Sequence, residues 1–186
     1  MNVYDFDQTI YYPDSSYHFF LYCLKKHPAA VLPVIPGSLT LALKYKQGKI
    51  GARVLKQHLF SFLRNLDDVE CEVIAFWDTH RQNLMDWYLK QKRDDDLIIS
   101  ASPEFLLAPI TRDLGVRLIA TKMDPHTGII LGENCHDREK LVRFRSEYPT
   151  ETIEEFYSDS LSDSPLAELA DRSFLVKKNI LTPWPK

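Results

Sequence analysis

The apolar residues of this chain change their spacing near residue 95, and that change restricts the fold more than any other feature. Before it, apolar positions recur at helical intervals: Ile50, Val54, Leu55, Leu59, Phe62 and Leu63 form one stripe, and Val69, Val73, Phe76, Trp77, Leu84 and Trp87 continue a similar one. Asp14, Ser15 and Ser16 offer N-caps to an aromatic-rich helix over residues 16–26. After it, short apolar runs alternate with helical stretches. Residues 97–99 read as a buried strand, Ser102-Pro103-Glu104 opens a helix with an N-cap and an N1 proline, and Gly115 closes it. A second strand follows at 116–121, then a hairpin over 124–132, a helix over 137–148, and a strand at 153–157 that ends at Ser158-Asp159. Pro165 opens a further helix and residues 174–176 form a last strand. One more strand stands alone at the front, residues 2–6, running into polar Asp7-Gln8-Thr9. A strand, a long helical insertion, and then alternation predict an α/β fold: a doubly wound, mainly parallel sheet carrying an inserted α-helical cap. The expected division is a core of residues 1–11 and 95–186 and a cap of residues 12–94.

Composition narrows the function. With 186 residues, 45% hydrophobic and 26% charged, the chain can bury a full core and is neither disordered nor collagenous. Its 23 Lys and Arg are scattered among 26 Asp and Glu, with no aromatic-interleaved basic strip, so nucleic acid is not the expected partner. Cys23, Cys71 and Cys135 are odd in number and lack CxxC spacing, which fits a reducing compartment better than a disulfide or zinc framework. The first residues lack the basic and apolar regions of a signal peptide, and a cytoplasmic location is expected. Residues 28–43 carry no charge, but the run includes Pro33, Pro36 and Gly37 and falls short of the roughly 20 residues of a spanning helix. A buried helix is the expectation, with no membrane span; the alternative is a surface that touches lipid or a greasy substrate.

Four features sit at strand ends or at a helix start, where an open α/β sheet gathers its ligand crevice. Asp5 and Asp7 leave the first strand at i and i+2, placed to share a divalent cation or a proton. A calcium loop would need Gly and Glu at the positions held by Ile10 and Ser16, which excludes that alternative. Ser100 ends the second strand ahead of free backbone N–H groups and suits a phosphate oxygen, whereas Ser102 reads as a plain N-cap. Lys140 stands in the first turn of a helix, where cations are disfavoured, although a solvated surface lysine would look the same. Asp159 and Asp163 form a second carboxylate pair at a strand end, where Asp163 or Ser164 could instead cap the next helix. His18, His58, His80 and His126 lack metal-ligand spacing.

Together, in this order, these features resemble the haloacid dehalogenase (HAD) superfamily and its phosphoserine-phosphatase-like branch. Asp5-Phe6-Asp7-Gln8-Thr9 resembles motif I, DxDxT, with Gln8 where Gly is usual; Ser100 resembles motif II, Lys140 motif III, and Asp159 to Asp163 motif IV, DxxxD. The insertion between motifs I and II resembles the family's C1 cap. The resemblance implies a Mg²⁺-dependent phosphomonoester hydrolase in which Asp5 is the nucleophile and Asp7 the general acid and base. It implies a Mg²⁺ site of Asp5, the Asp7 carbonyl and Asp159, supported by Asp163. Ser100 and Lys140 would hold the phosphoryl group, and Thr9 would orient the motif I loop. A mutase or phosphotransferase of the same superfamily, or a non-enzymatic phospho-acceptor, is the alternative. Phosphoserine phosphatases place a glutamate nine residues after the nucleophile and an arginine in a cap helix; the matching positions here are Asp14 and His58, with Lys56 or Arg53 as substitute cations. Histidine cannot supply a bidentate fork for a carboxylate. The expected substrate is therefore a small-molecule phosphomonoester other than free phosphoserine. The cap is also greasy, with Tyr17, Phe19, Phe20 and Tyr22 in one helix and the uncharged 28–43 stretch after it. If part of it faces the crevice, a larger or more apolar phosphomonoester, with a lipid phosphate among the candidates, is expected.

Overall fold

The computed structural model describes residues 1–185. Six strands form one sheet: β1 (Asn2–Tyr4), β2 (Leu97–Pro103), β3 (Arg117–Thr121), β4 (Ile153–Ser158), β5 (Ala170–Lys177) and β6 (Ile180–Pro183), in the order β3-β2-β1-β4-β5-β6. All neighbours are parallel except β5 and β6. The doubly wound sheet expected from the alternating pattern is present, and β6 adds an antiparallel edge that the pattern did not signal. Its turn explains why. Lys178 and Asn179 both take left-handed backbone angles, φ 48° and 68°, so the tight hairpin lacks the glycine that normally marks one.

The three-residue β1 holds the centre because both its faces are covered. Val3 and Tyr4 are fully buried, and their side chains point opposite ways. Val3 joins Leu97, Ile99 and Phe156 against Phe144 of α8 (Arg138–Glu147) and Leu166 of α9 (Ser164–Ala167). Tyr4 joins Ile98 and Tyr157 against Leu106 and Ile110 of α7 (Glu104–Leu114), in one continuous core with the helical insertion. Tyr4 stacks on Tyr157 at 4.8 Å between ring centres. Gly115, at φ 70°, ends α7 in the left-handed cap expected of it.

Between β1 and β2 lie only helices: α1 (Ser15–Lys26), α2 (Pro28–Val31), α3 (Ile35–Lys46), α4 (Ala52–Leu59), α5 (Val69–His80) and α6 (Asp86–Gln91), with 3₁₀ turns between several of them. Their aromatic core of Phe19, Phe62, Phe76 and Trp77 is buried. The indole N–H of Trp77 donates to the Leu106 carbonyl at 2.6 Å and ties the insertion to α7. A hairpin after β3, closed by the Met123–Ile130 bridge, meets the insertion from the other side. There Gln57 Oε1 accepts from the Ile130 amide at 3.0 Å, and Arg53 donates to the Ile130 carbonyl at 3.1 Å.

The uncharged segment departs from the buried helix expected for it. The helical stretch Pro28–Lys46 is 19 residues long with only 22% of its most apolar window buried. Val31, Val34 and Ser38 face the cap core, while Leu32, Leu39 and Leu43 lie open to solvent.

Candidate active site

The loops that leave β1, β2 and β4 meet the first turn of α8 at one end of the sheet and enclose a cavity of about 250 Å³. Asp5, Asp7, Asp14, Ser100, Lys56, Lys140, Asp159 and Asp163 all line it. Residues more than 150 positions apart thus converge because the parallel strands end on the same side.

Lys140 is the pivot. Its side chain is 3% exposed, and Nζ lies 2.5 Å from Asp5 Oδ1 and 2.7 Å from Asp163 Oδ2. A surface lysine is therefore excluded. Burial works against its charge, but the two carboxylates outweigh burial and hold the ammonium above its ordinary value. For Asp5, burial outweighs the opposing Lys140 contact and the carboxyl lies above its ordinary value; what sets Asp5 apart from Asp7 is the ammonium bonded to it. The helix start at Lys140 is destabilised by its own charge. That local penalty is offset by the pair of ionic hydrogen bonds.

Thr9 joins two loops. Its hydroxyl donates to Asp5 Oδ2 at 3.3 Å and accepts the Asp159 amide at 2.9 Å, so the turn after β1 and the end of β4 are held in register. Gln8, between Asp7 and Thr9, sits at φ 59° in the left-handed region, which suits glycine better. Asp7 is held separately: Oδ1 accepts the Ser15 amide at 2.6 Å, and Oδ2 accepts the Ser102 hydroxyl at 2.5 Å. Burial, with Asp14 nearby, raises the Asp7 carboxyl to about 7. Burial and the neighbouring Asp5 raise Asp159 to about 7 as well.

Ser100 Oγ accepts the Ser102 amide at 3.0 Å, which leaves its own proton free for a ligand. Ser102 is more than the helix cap its position suggests. Pro103 is the residue that precedes α7, and Ser102 instead bonds Asp7 and the Ser16 hydroxyl, the latter at 2.8 Å. Asp14 lines the cavity while capping α1 through the Tyr17 amide at 2.8 Å.

His58 lies outside the cavity. Its Nε2 is 3.2 Å from the Val34 carbonyl, and its ring packs against Gly37, where an added Cβ would fall 2.5 Å from Nε2. It is a packing residue between α3 and α4, and its assignment as a specificity residue is corrected. The cap cation that does enter is Lys56, whose Nζ donates to the Ala101 carbonyl at 2.7 Å and to Asn134 Oδ1 at 3.0 Å. Burial lowers its affinity for a proton. A period of about 3.6 separates the two outcomes: positions 56 and 58 lie some 200° apart on α4.

The donor set suits a small, hard divalent cation. Asp163 Oδ1 is buried with no hydrogen-bond partner, and the Asp159 carboxyl is raised by burial and by Asp5, which Lys140 offsets only in part. Among the described residues, no three His, Cys, Asp or Glu side chains form a ready ligand cluster. A cation here would complete its shell from backbone oxygen, water and phosphate, as Mg²⁺ does with one or two carboxylates.

A buried lysine between carboxylates from two loops, beside a carboxyl that can carry a proton at neutral pH, defines a hydrolase of the Rossmann-like α/β class. The chain belongs to the haloacid dehalogenase-like hydrolase family, whose model matches residues 3–168. It is 26% identical to Protein CicA of Caulobacter vibrioides over 185 residues, covering 90% of this chain and 82% of that protein. Its fold is similar to a protein with unknown function from Bordetella pertussis Tohama I, with a TM-score of 0.75, 25% identity, and coverage of 93% and 87% of the two chains. It is also similar to a phosphoserine phosphohydrolase-like protein from Francisella tularensis, with a TM-score of 0.63, 17% identity, and coverage of 97% and 89%.

Proposed function

We propose that the protein is a Mg²⁺-dependent phosphatase that hydrolyses a phosphomonoester through an aspartyl-phosphate on Asp5. The observation that carries this is the division of labour between two aspartates two residues apart. Asp5 is paired with an ammonium at 2.5 Å, while Asp7 is bonded only to neutral donors and rises to about 7. One is ready to attack and the other to carry a proton.

The carboxylate of Asp5 attacks phosphorus, and the ester oxygen leaves with the proton from Asp7, forming the acyl-phosphate and the free alcohol. Asp7, now ionised, takes a proton from water, whose oxygen attacks phosphorus; the P–O bond to Asp5 breaks, giving inorganic phosphate and the free Asp5 carboxylate. Lys140 and the Ser100 hydroxyl stabilise the charge on the phosphoryl oxygens. Asp5, Asp159 and the Asp7 carbonyl would hold Mg²⁺, with Asp163 behind them; when bound, the ion supplies charge neutralisation between nucleophile and phosphate. Thr9 keeps Asp5 and the Asp159 loop in register.

Two features favour a substrate other than free phosphoserine. The cap presents Lys56, a point charge, rather than the planar fork that clamps a carboxylate, and His58 is withheld from the cavity. The aromatic residues of α1 and the uncharged 28–43 stretch stay out of the cavity, whose cap side is formed by polar Asp14, Ser16 and Lys56, so the preference is for a polar phosphomonoester other than free phosphoserine, in a cytoplasmic setting. The direct test is turnover of p-nitrophenyl phosphate. Activity is expected to vanish with EDTA and return with Mg²⁺, and Asp5→Asn is expected to lower kcat by at least about a thousandfold. Turnover by Asp5→Asn within about tenfold of wild type would reject the nucleophile.

A further inference from the structure

The structure leaves one surface that catalysis does not use. Along α3 and the 3₁₀ turn that leads into it, Leu32, Pro36, Leu39 and Leu43 follow spacings of four, three and four residues, which places them on one side of this helical stretch. The leucines are 54%, 66% and 63% exposed, opposite the buried Val31, Val34 and Ser38. Isolated exposed leucines are ordinary, but an aligned row on a helix of mean hydropathy 1.2 is not.

The charge around this row is one-sided. From Ser15 to Leu66 the chain has no Asp or Glu and eight Lys or Arg, in a protein whose net charge is −3. Lys44, Lys46 and Lys49 follow the apolar row directly and are exposed. Lys26 and Arg53, by contrast, are paired with Glu72 and Glu133. An apolar stripe ending in unpaired lysines is complementary to a surface that is greasy beneath and negative on top.

We propose that the exposed face of α3 and the turn before it is a docking surface for an anionic lipid bilayer, with the leucines entering the acyl boundary and Lys44, Lys46 and Lys49 meeting the headgroups. The helix lies in the interface rather than crossing it, because Val31, Val34 and Ser38 remain committed to the cap core. Since α3 packs on α4, and α4 carries Lys56 into the cavity, docking brings the catalytic pocket close to the membrane plane. The proposal does not depend on the phosphatase assignment.

The test is co-sedimentation of the full chain with vesicles of phosphatidylcholine alone and of phosphatidylcholine with phosphatidylglycerol in equal parts, with p-nitrophenyl phosphate turnover measured on the same samples. Binding is expected only to the anionic vesicles and is expected to weaken with added salt. The Leu39→Gln/Leu43→Gln variant is expected to bind at least about tenfold more weakly. Each of Lys44→Gln, Lys46→Gln and Lys49→Gln is expected to cost about fivefold. Circular dichroism and turnover are expected to match wild type in all of these variants, so a loss of binding is not a loss of fold. Three results would overturn the proposal: no binding to anionic vesicles, binding indifferent to the leucine pair, or binding that survives alkaline carbonate, which would indicate a spanning helix. A concentration-dependent dimer abolished by the leucine variant, without vesicle binding, would assign the face to a second copy of the chain.

Discussion

At the scale of single residues, Asp7 and Lys140 make opposite predictions about stability. The Asp7 carboxyl moves from an ordinary 3.8 to about 7 because folding buries it beside Asp14. The folded state therefore binds more protons than the unfolded state between about pH 4 and pH 7, and this group's contribution to stability falls as pH rises through that window. Asp7→Asn removes the penalty. In EDTA it is expected to melt about 4 to 8 °C higher than wild type above pH 7, corresponding to ~2 kcal/mol, and to match wild type near pH 4. Thermal melts at the two ends of the window check this, and a gain of equal size at both ends would mean that Asp7 is not the titrating group. Lys140→Met acts in the other direction. It leaves Asp5 and Asp163 buried together without their cation, and an unpaired buried charge typically costs about 3 to 5 kcal/mol. Urea unfolding in EDTA at neutral pH is expected to show that loss, and a change below about 1 kcal/mol would reject the ion-pair account. Sequence made these residues legible to different degrees. Asp5, Ser100, Lys140 and Asp159 stand at strand ends or at a helix start, where the pattern places them and the family resemblance singles them out. Ser102 escaped, and Lys56 was reached only as a substitute for His58, because their contacts depend on partners far away in sequence, Asp7 for one and Asn134 for the other.

Among the secondary-structure elements, β2 to β5 were legible because their apolar runs are set off by turn or helix-start residues. Leu97–Pro103 runs into the helix start at Glu104, and Gly115 separates α7 from β3. What the pattern missed were elements whose signal is tertiary: β6, whose Lys178-Asn179 turn lacks glycine, and the exposed side of α3, whose apolar residues read as core. The hairpin after β3 carries a sharper test of how elements meet. Gly128 has φ 71°, and a Cβ there would lie 2.5 Å from the Phe60 carbonyl oxygen, which is backbone and cannot swing aside. Gly128→Ala therefore combines a strained conformation with a collision against the turn that follows α4. A loss of about 2 to 4 kcal/mol is expected in urea unfolding, with the Arg53 and Gln57 contacts to Ile130 disturbed. Gly48, also at positive φ but with nothing within 4 Å, is the control: Gly48→Ala is expected to cost only about 1 kcal/mol. Equal losses at the two positions would show that the hairpin does not press on the cap.

Across the whole molecule, the cavity floor comes from the strand ends and one wall from the helical insertion, so the proposed function assigns chemistry and selectivity to different parts of the chain. Asp5, Asp7, Ser100, Lys140 and Asp159 form the floor, while Lys56, Asp14 and Ser16 come from the insertion. On the proposed function, the floor would act on any phosphomonoester that reaches it, and the wall would decide which do. An amino-acid phosphate presents a carboxylate and an ammonium close to the ester oxygen. For the carboxylate, the wall provides only Lys56, already donating to Ala101 and Asn134, so binding it means exchanging two existing hydrogen bonds for one new ion pair. For the ammonium, it provides Asp14, whose Oδ1 already accepts the Tyr17 amide. Neither group gains much from the phosphoserine contact, whereas a leaving group without this carboxylate and ammonium leaves the existing bonds of both residues in place. Free phosphoserine is therefore expected to rank below other members of a broad phosphomonoester panel in kcat/KM. Lys56→Met is expected to alter KM across the panel more than kcat, because the residue touches the leaving group's surroundings and not phosphorus. Phosphoserine ranking first by about tenfold or more, with Lys56→Met abolishing that preference, would show that Lys56 does the work of the missing fork.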